Sequence, residues 1–333
     1  MPLPGSPDLH INAPLTNVSV AWLQSNDDFI ASDIFPKVPV EKRSDLFWKY
    51  SKSDWQRTDV KKRAPGTESV GVGWNQTTDN YYCDVYAVHK DIEDQVRANA
   101  DSNWNLDADS TRFLTNQLLL RRDLDWAAAF FKTGVWGTEY TGIGSGSPTS
   151  SQFLQWDLAA SDPLMNQTDW ATDFRLQNGM DFSFMVVGAD VWKALKNHPA
   201  ILDRIKYTQK GIVTKDLVAS FFDVPKLKVA YASQSLGPQI NDAVLQDAAA
   251  DKAWIIDAKS ILLGYAPSSP SLLTPSAGYT FTWKGYQGGN KEGLSMSQFR
   301  MQHLKSDRIE GEMTYDMKVV SPDCGVFLSN VVS

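Results

Sequence analysis

The chain has 333 residues, 42% hydrophobic and 21% charged, and its 32 basic and 39 acidic side chains give a net charge of −7. This is the composition of one large or two ordinary folded domains, not the pattern typical of a disordered chain. The acidic balance argues against tight binding along a nucleic-acid backbone, which needs clustered Lys and Arg. Cys83 and Cys324 are too few to staple such a chain and read as buried free thiols of a reducing compartment. MPLPGSPDLHINAPLTNVSV at the N-terminus has no basic n-region and no apolar core. No apolar run approaches the about 20 residues of a membrane span, so a soluble, intracellular protein is expected.

Residues 1–40 carry Pro2, Pro4, Pro7, Pro14, Pro36 and Pro39, which block long helices and remove ladder donors. They read as an extended arm anchored by Ile11, Leu15, Val18, Trp22, Phe29 and Ile34, with one short helix near Val18–Ser25. In residues 41–90, DLFWKYSKSDW and NYYCDVYAVHK favour strands, and QRTDVKKRAPGTESVGVG between them is polar and glycine-bearing. The pattern is an extended hairpin with a long tip, and a lone hairpin is marginal in water, so it needs a neighbour to lie on. Within it, residues 41–63 hold eight bases and four acids, a local balance of +4.

Residues 107–133 predict the longest helix, with Asp107, Asp109 and Ser110 as N-cap types and Gly134 as the stop. Phe113, Leu120, Leu124, Ala127 and Phe131 form its apolar stripe, and Arg121, Arg122, Asp123 and Asp125 read as a solvated or ion-paired face. Residues 134–170 read as loop. The glycines of TGIGSGSPTSS lack the strand-to-helix setting and the GKS or GKT of a phosphate loop. Residues 171–266 are α/β: a helix over Trp170–Met180, a strand at Phe182–Val187, helices at Ala189–Lys196 and Pro199–Ile205, and a third capped by Thr214. Strands follow at Leu227–Tyr231, Trp254–Ile256 and Ile261–Tyr265. Residues 267–295 read as a long loop or ragged hairpin, and the chain from Ser297 onward as strands, alternating near Glu312–Val319. There is no internal repeat.

The stretch FSFMVVGADVWKALKNHPAILDRIKYT puts a strand-to-helix crossing at Gly188–Asp190, where α/β enzymes bind ligands. No chemistry follows it. His10, His89, His198 and His303 are never three to five residues apart, and HExxH, CxxC and GxSxG are absent. His198, before Pro199, reads as structural. Asp91, Glu93 and Asp94 read as the solvated start of a helix, the rival reading being a glycosidase pair. The twelve tryptophans are spread along the chain rather than grouped as a sugar platform, which suits separate contacts in cores and between subunits. No catalytic residue, cofactor or metal site is predicted; the arm, hairpin and loops point to an interaction protein.

Met185–Ala232, MVVGADVWKALKNHPAILDRIKYTQKGIVTKDLVASFFDVPKLKVAYA, together with DIFPKVPVEKRSDLFWKY and RAPGTE, resembles the major capsid proteins of tailed double-stranded-DNA bacteriophages. The order of elements is similar over nearly the whole chain. The resemblance implies the α+β Hong Kong 97-type fold. It places an N-terminal arm at 1–40, an E-loop hairpin at 41–90, and a P domain at 91–180 with its spine helix near 107–133. An α/β axial (A) domain takes 181–290, and C-terminal P-domain strands take 291–333. It also implies a non-enzymatic virion protein that assembles in the host cytoplasm, through hexamers and pentamers, into an icosahedral shell around the genome. The short arm, in place of a long helical leader, implies a separate scaffolding protein; portal and decoration proteins are further expected partners.

Some members crosslink a Lys to an Asn of a neighbour; Lys61 or Lys62 and Asn330 have the residue types, but no motif licenses the pairing. Residues 64–131 hold eleven acids and five bases, a balance of −6 that complements the basic hairpin. The inter-subunit contact candidates are therefore Lys61, Lys62, Arg63 and Arg57, with Arg121 and Arg122 on the helix. Rival readings are an encapsulin-like nanocompartment shell, another virion part such as a tail or decoration protein, and a carbohydrate-active enzyme or binding module.

Overall fold

The computed structural model describes residues 28–100, 105–206, 213–236, 252–271, 274–286 and 293–333. The helix expected near Val18–Ser25, and most of the arm, lie outside the described residues. The first half of the chain runs β1 (Lys37–Val40), β2 (Ser44–Tyr50), α1 (Lys52–Gln56), β3 (Gln76–Tyr82), β4 (Asp84–Glu93), α2 (Asp94–Asn99), α3 (Leu106–Phe130), β5 (Thr138–Ile143) and β6 (Gln152–Leu154). The middle comprises α4 (Pro163–Asn178), β7 (Phe184–Val187), α5 (Ala189–Asn197), α6 (Pro199–Ile205), α7 (Lys215–Phe221), β8 (Lys226–Val229) and β9 (Ser233–Ser235). Then come β10 (Lys252–Trp254), β11 (Ile261–Gly264), β12 (Gly278–Trp283), β13 (Leu294–Met301), β14 (Ser306–Val319) and β15 (Gly325–Ser329).

Two sheets organise these elements. The mixed sheet β6-β5-β15-β11-β7-β8 alternates two apolar faces. Met185, Val187, Ile261, Leu263, Val326 and Leu328 face a core with Trp156, Leu195 and Ile201. Phe184, Val186, Leu262 and Phe327 face a second core with Trp126 and Phe130 of α3 and with residues 29–35. Here Phe35 meets Phe130 at 4.4 Å, Phe184 at 5.4 Å edge-on and Trp126 at 6.1 Å between ring centres. A sheet apolar on both sides must be covered on both; the end of α3 and the segment after the arm supply the second cover.

In the other sheet, β14 pairs antiparallel with β12, β13 and β4, and β1 lies parallel to β12. The first half of α3 crosses it, with Leu114 over Ile309 and Leu118 over Met313. Gly311 lies between them, where a Cβ would come 2.8 Å from Leu118 Cδ1. The 25-residue α3 is therefore a rod of roughly 37 Å joining the two sheets.

Several boundaries move. Asn105, not Asp107 or Asp109, caps α3, accepting the Ala108 N–H at 3.1 Å, and the helix ends before Gly134. Its buried positions are Ser110, Leu114, Leu118, Arg122, Asp123, Trp126 and Phe130, whereas Phe113 is 46% exposed. The expected stripe is misplaced because the inward face includes Ser110, Arg122 and Asp123, which an apolar search passes over. Residues 134–170 hold β5, β6 and the start of α4, where Asp162 accepts the Leu164 and Met165 N–H groups and Pro163 is the first helical residue. Residues 267–295 contain β12, five of whose six residues are buried. Lys252–Trp254, rather than Trp254–Ile256, pairs as a strand; Ile255 and Ile256 turn into the second core. The C-terminal strands divide: β13 and β14 join the long sheet, whereas β15 lies between β5 and β11.

Phe35→Ala is expected to cost about 3–5 kcal/mol in equilibrium urea unfolding, the usual loss for an aromatic truncated in a core. A loss below about 1 kcal/mol would show that residues 29–35 are not part of it.

Candidate assembly surfaces

The enzyme-like crossing is filled by its own chain. The N–H groups of Asp190 and Val191, at the start of α5, donate to the Ala258 carbonyl at 3.1 and 3.2 Å. A Cβ on Gly188 would lie 2.3 Å from that oxygen. The glycine is needed for this close approach, and the helix N-terminus has no room for a ligand.

Ser161 and His198, 3.1 Å apart, are the nearest thing to a nucleophile and base. His198 Nδ1 accepts the Ala200 N–H at 3.2 Å, so the proton of the neutral ring sits on Nε2 and is donated to Ser161 Oγ. Ser161 donates to the Leu158 carbonyl at 2.7 Å. Burial pushes the His198 pKa down and keeps the ring neutral. With Nε2 protonated, the ring cannot take the serine proton; it caps α6 instead.

The carboxylates near Asp91 are equally committed. Arg308 grips Asp91 through two bonds of 2.7 and 2.8 Å, and Arg300 grips Asp94 through two of 2.6 Å. Arg97 binds Asp107 twice at 2.8 Å and reaches Asp307 at 3.2 Å. These guanidinium hydrogen bonds hold Asp91, Asp94 and Asp107 below the usual carboxylate range, the opposite of what a glycosidase acid requires. Only Asp94 begins a helix; Asp91 and Glu93 are on β4. Among the described residues no cluster of three or more His, Cys, Asp or Glu could hold a metal ion.

One buried carboxylate, absent from the expected sites, has an architectural task. Asp123 is 1% exposed and accepts the backbone N–H groups of Ile30 and Ala31 at 3.1 and 2.9 Å. It fixes the segment after the arm to the middle of α3. Burial pushes its pKa up to about 6, against the pull of the two N–H groups and of Arg122. The clue in the sequence is a charge run whose second and third members fall on the inward face.

The hairpin leaves the body at Arg43 and Cys83, with β2 antiparallel to β3. Phe47 and Tyr81 seat its inner face on Phe281, at ring separations of 5.3 and 4.7 Å. The outer face carries Leu46, Trp48, Tyr50 and Tyr82, all exposed, with Trp48 at 57%. Past the strands, Trp55 and Trp74 lie 6.0 Å apart, with Tyr50 beside Trp55, and Val60, Val70 and Val72 are also in water. Three of the twelve tryptophans therefore do share a surface, because the hairpin brings together residues far apart in sequence.

Ion pairs narrow the basic stretch. Lys42, Arg43 and Lys49 pair with Asp45, Asp84 and Asp79, and Arg57 lies between Asp54 and Asp59. Arg63 donates to the Thr67 carbonyl. Lys61 and Lys62 are exposed, and no carboxylate of the described residues lies within ion-pair distance of them. Arg121 pairs with Asp125 at 2.8 Å and covers the Tyr86 ring. Arg122 is 6% exposed, so burial withdraws it from any inter-subunit surface.

No family model matches the chain. It is 24% identical over 332 residues to the major capsid protein of Burkholderia phage BcepMu, covering 96% of both chains. It is also 24% identical over 332 residues to the major capsid protein of Pseudomonas phage JBD67, covering 97% of both. Among solved structures it is similar to a phage-related protein of Bordetella bronchiseptica RB50, with a TM-score of 0.67 at 17% identity over 92% of this chain and 94% of that one. The capsid of cyanophage P-SCSP1u gives 0.60 at 15% identity over 97% and 93%. An encapsulin complex of Synechococcus elongatus PCC 7942 gives 0.55 at 11% identity over 96% of each. The fold is the Hong Kong 97-type capsid fold.

Asp123 generates a pH prediction. Its folded pKa lies above its unfolded one, so its contribution is full below about pH 4 and is lost as pH rises through about 6. Relative to Asp123→Asn, the native chain is expected to lose a few kcal/mol between pH 4 and 7, at about 1.4 kcal/mol for each pH interval of one between the two pKa values. Urea unfolding of both chains across that range checks it; parallel curves would refute the assignment.

Proposed function

We propose that this chain is a major capsid protein, which self-assembles through hexamers and pentamers into the icosahedral head enclosing the double-stranded DNA of a tailed phage. The observation that carries the reading is end-to-end similarity to two phage major capsid proteins, over 96% and 97% of both chains. The fold alone would not choose between a phage head and an encapsulin, since both are among its neighbours. The named sequence relatives favour the head. The carbohydrate-enzyme reading loses its acid, because Asp91 and Asp94 are held ionised by arginines.

In this reading residues 1–40 are the arm, 41–90 the E-loop, and 91–180, with α3 as spine, the P domain. Residues 181–290 form most of the A domain and 291–333 the closing strands, with β5, β6, β12 and β15 crossing those borders. The strand–helix units of the A domain serve packing, with their loops meeting at the centre of each capsomer. A separate scaffolding protein, a portal and decoration proteins complete the head, which assembles in the host cytoplasm. The net charge of −7 suits a wall that encloses DNA without gripping it.

The hairpin supplies the docking chemistry. Its exposed aromatic and aliphatic side chains gain about 25 cal/mol per Å² when a neighbour covers them. Lys61, Lys62 and Arg63 steer and set register against an acidic surface rather than adding much affinity. Modest contacts repeated over many copies then hold the shell.

Negative-stain electron microscopy of the chain expressed alone and with its genomic neighbours is expected to show closed icosahedral particles. Uniform small oligomers in both conditions would reject the reading. Trp48→Ser/Trp55→Ser/Trp74→Ser and Lys61→Glu/Lys62→Glu/Arg63→Glu are each expected to leave a folded monomer, by circular dichroism, that closes no shells. Normal particles from the first would remove the aromatic surface from the interface, and from the second the basic tip.

A further inference from the structure

Residues 51–75, joining β2 to β3, are ordered mainly by themselves. The Ser51 N–H donates to the Asn75 carbonyl at 3.1 Å, and the Asn75 N–H donates to the Asp54 carboxylate at 2.8 Å. Among the described residues, two polar contacts tie this tip to the body of the same chain. Lys52 Nζ lies 3.6 Å from the Asp323 carboxylate. Gln56 Nε2 donates to the Gln177 carbonyl at 3.1 Å, at the C-terminal end of α4. Both contacts are exposed, and such pairs fix a position with little affinity. The dock is firmer than what it holds. The Asp323 carbonyl accepts Asn178 Nδ2 at 3.0 Å, and a Cβ on Gly137 would lie 2.6 Å from Asp323 Oδ1. The hairpin root, seated through Phe47 and Tyr81, is equally firm. A lightly held tip thus joins two fixed points, with Trp55, Trp74, Val60, Val70 and Val72 in water.

We propose that Lys52–Asp323 and Gln56–Gln177 form a latch that parks the hairpin tip on its own chain, and that the tip leaves it when a second copy covers its apolar surface. The proposal rests on the shell reading above. Parking gives the tip two alternative positions, one favoured in the free chain and the other in the assembly, so interface formation is coupled to opening of the latch.

The test uses Ser53→Cys/Gln177→Cys, which keep the Lys52 and Gln56 donors, the Asp323 carboxylate and the residue-177 carbonyl, and a short, reducible bis-maleimide. Cys83 and Cys324, at 0% and 2% exposure, do not compete for the reagent. The free chain is expected to crosslink internally, with a yield about tenfold lower in assembled shells. Locked chains are expected to stay out of shells until a reductant frees them. The latch is overturned by equal internal crosslinking in free chain and shells, by absence of crosslinking in the free chain, or by locked chains entering shells. The two readings fail separately: a native chain that never forms particles removes the shell, whereas parking is read from the free chain alone.

Discussion

The rest of the structure depends on one requirement: the central sheet is apolar on both faces and both must be kept from water. Successive residues Phe184, Met185, Val186 and Val187 alternate between two cores, as do Ile261, Leu262 and Leu263. One face is covered locally, by helices that follow the strands. The other is covered by Trp126 and Phe130 at the far end of α3 and by Phe29, Ile30, Ile34 and Phe35. Asp123 joins these two covers by accepting the Ile30 and Ala31 N–H groups. A buried carboxylate is an expensive acceptor, but its two oxygens satisfy two adjacent backbone donors that would each cost about 1–3 kcal/mol if left unpaired.

Because α3 is needed at both sheets, its length is set by the distance between them. Its first half lies on β14 and β4, where Gly311 lets Leu118 approach the strand, and its second half closes the central sheet. The ion pairs from Arg97, Arg300 and Arg308 then join β4, α2, α3, β13 and β14 at the opposite end from the aromatic core. The body is closed by its own contacts. The hairpin is not: its inner face packs on Phe281, two exposed polar contacts hold its tip, and its outer aromatic face stays open to water.

Much of this was legible in the sequence, and what was not has identifiable causes. The strand and helices from Phe184 to Ile205 announced themselves through a buried run, an amphipathic pattern and the His198–Pro199 break. The Thr214 cap was equally plain. The α3 stripe was misread because Ser110, Arg122 and Asp123 face inward, where their hydrogen bonds rather than their hydrophobicity explain them. The start of α4 was missed although Asp162–Pro163 is a cap signal, because the glycine- and serine-rich stretch before it suggested continued loop. The aromatic surface of the hairpin could not be read as a unit, since Trp55 and Trp74 meet only once the strands pair. The six contact candidates share only their positive charge; burial removes Arg122, and partners quiet Arg57 and Arg121.

The division of labour on the hairpin follows from magnitudes. Lysines at an exposed tip gain roughly 1 kcal/mol or less from a single ion pair and are screened by salt over about 8–10 Å. A tryptophan moved from water into an interface can gain several times that. If every interface were strong, misplaced copies could not leave a growing shell; if every interface were weak, closure would not last. A tip with unpaired charge for register and exposed aromatics for adhesion gives contacts that are modest singly and cumulative in number. The same economy explains why the α/β crossing holds no site. Ala258 occupies the position a ligand would take, and filling that position with backbone makes the central sheet a rigid base on which the docking elements are carried.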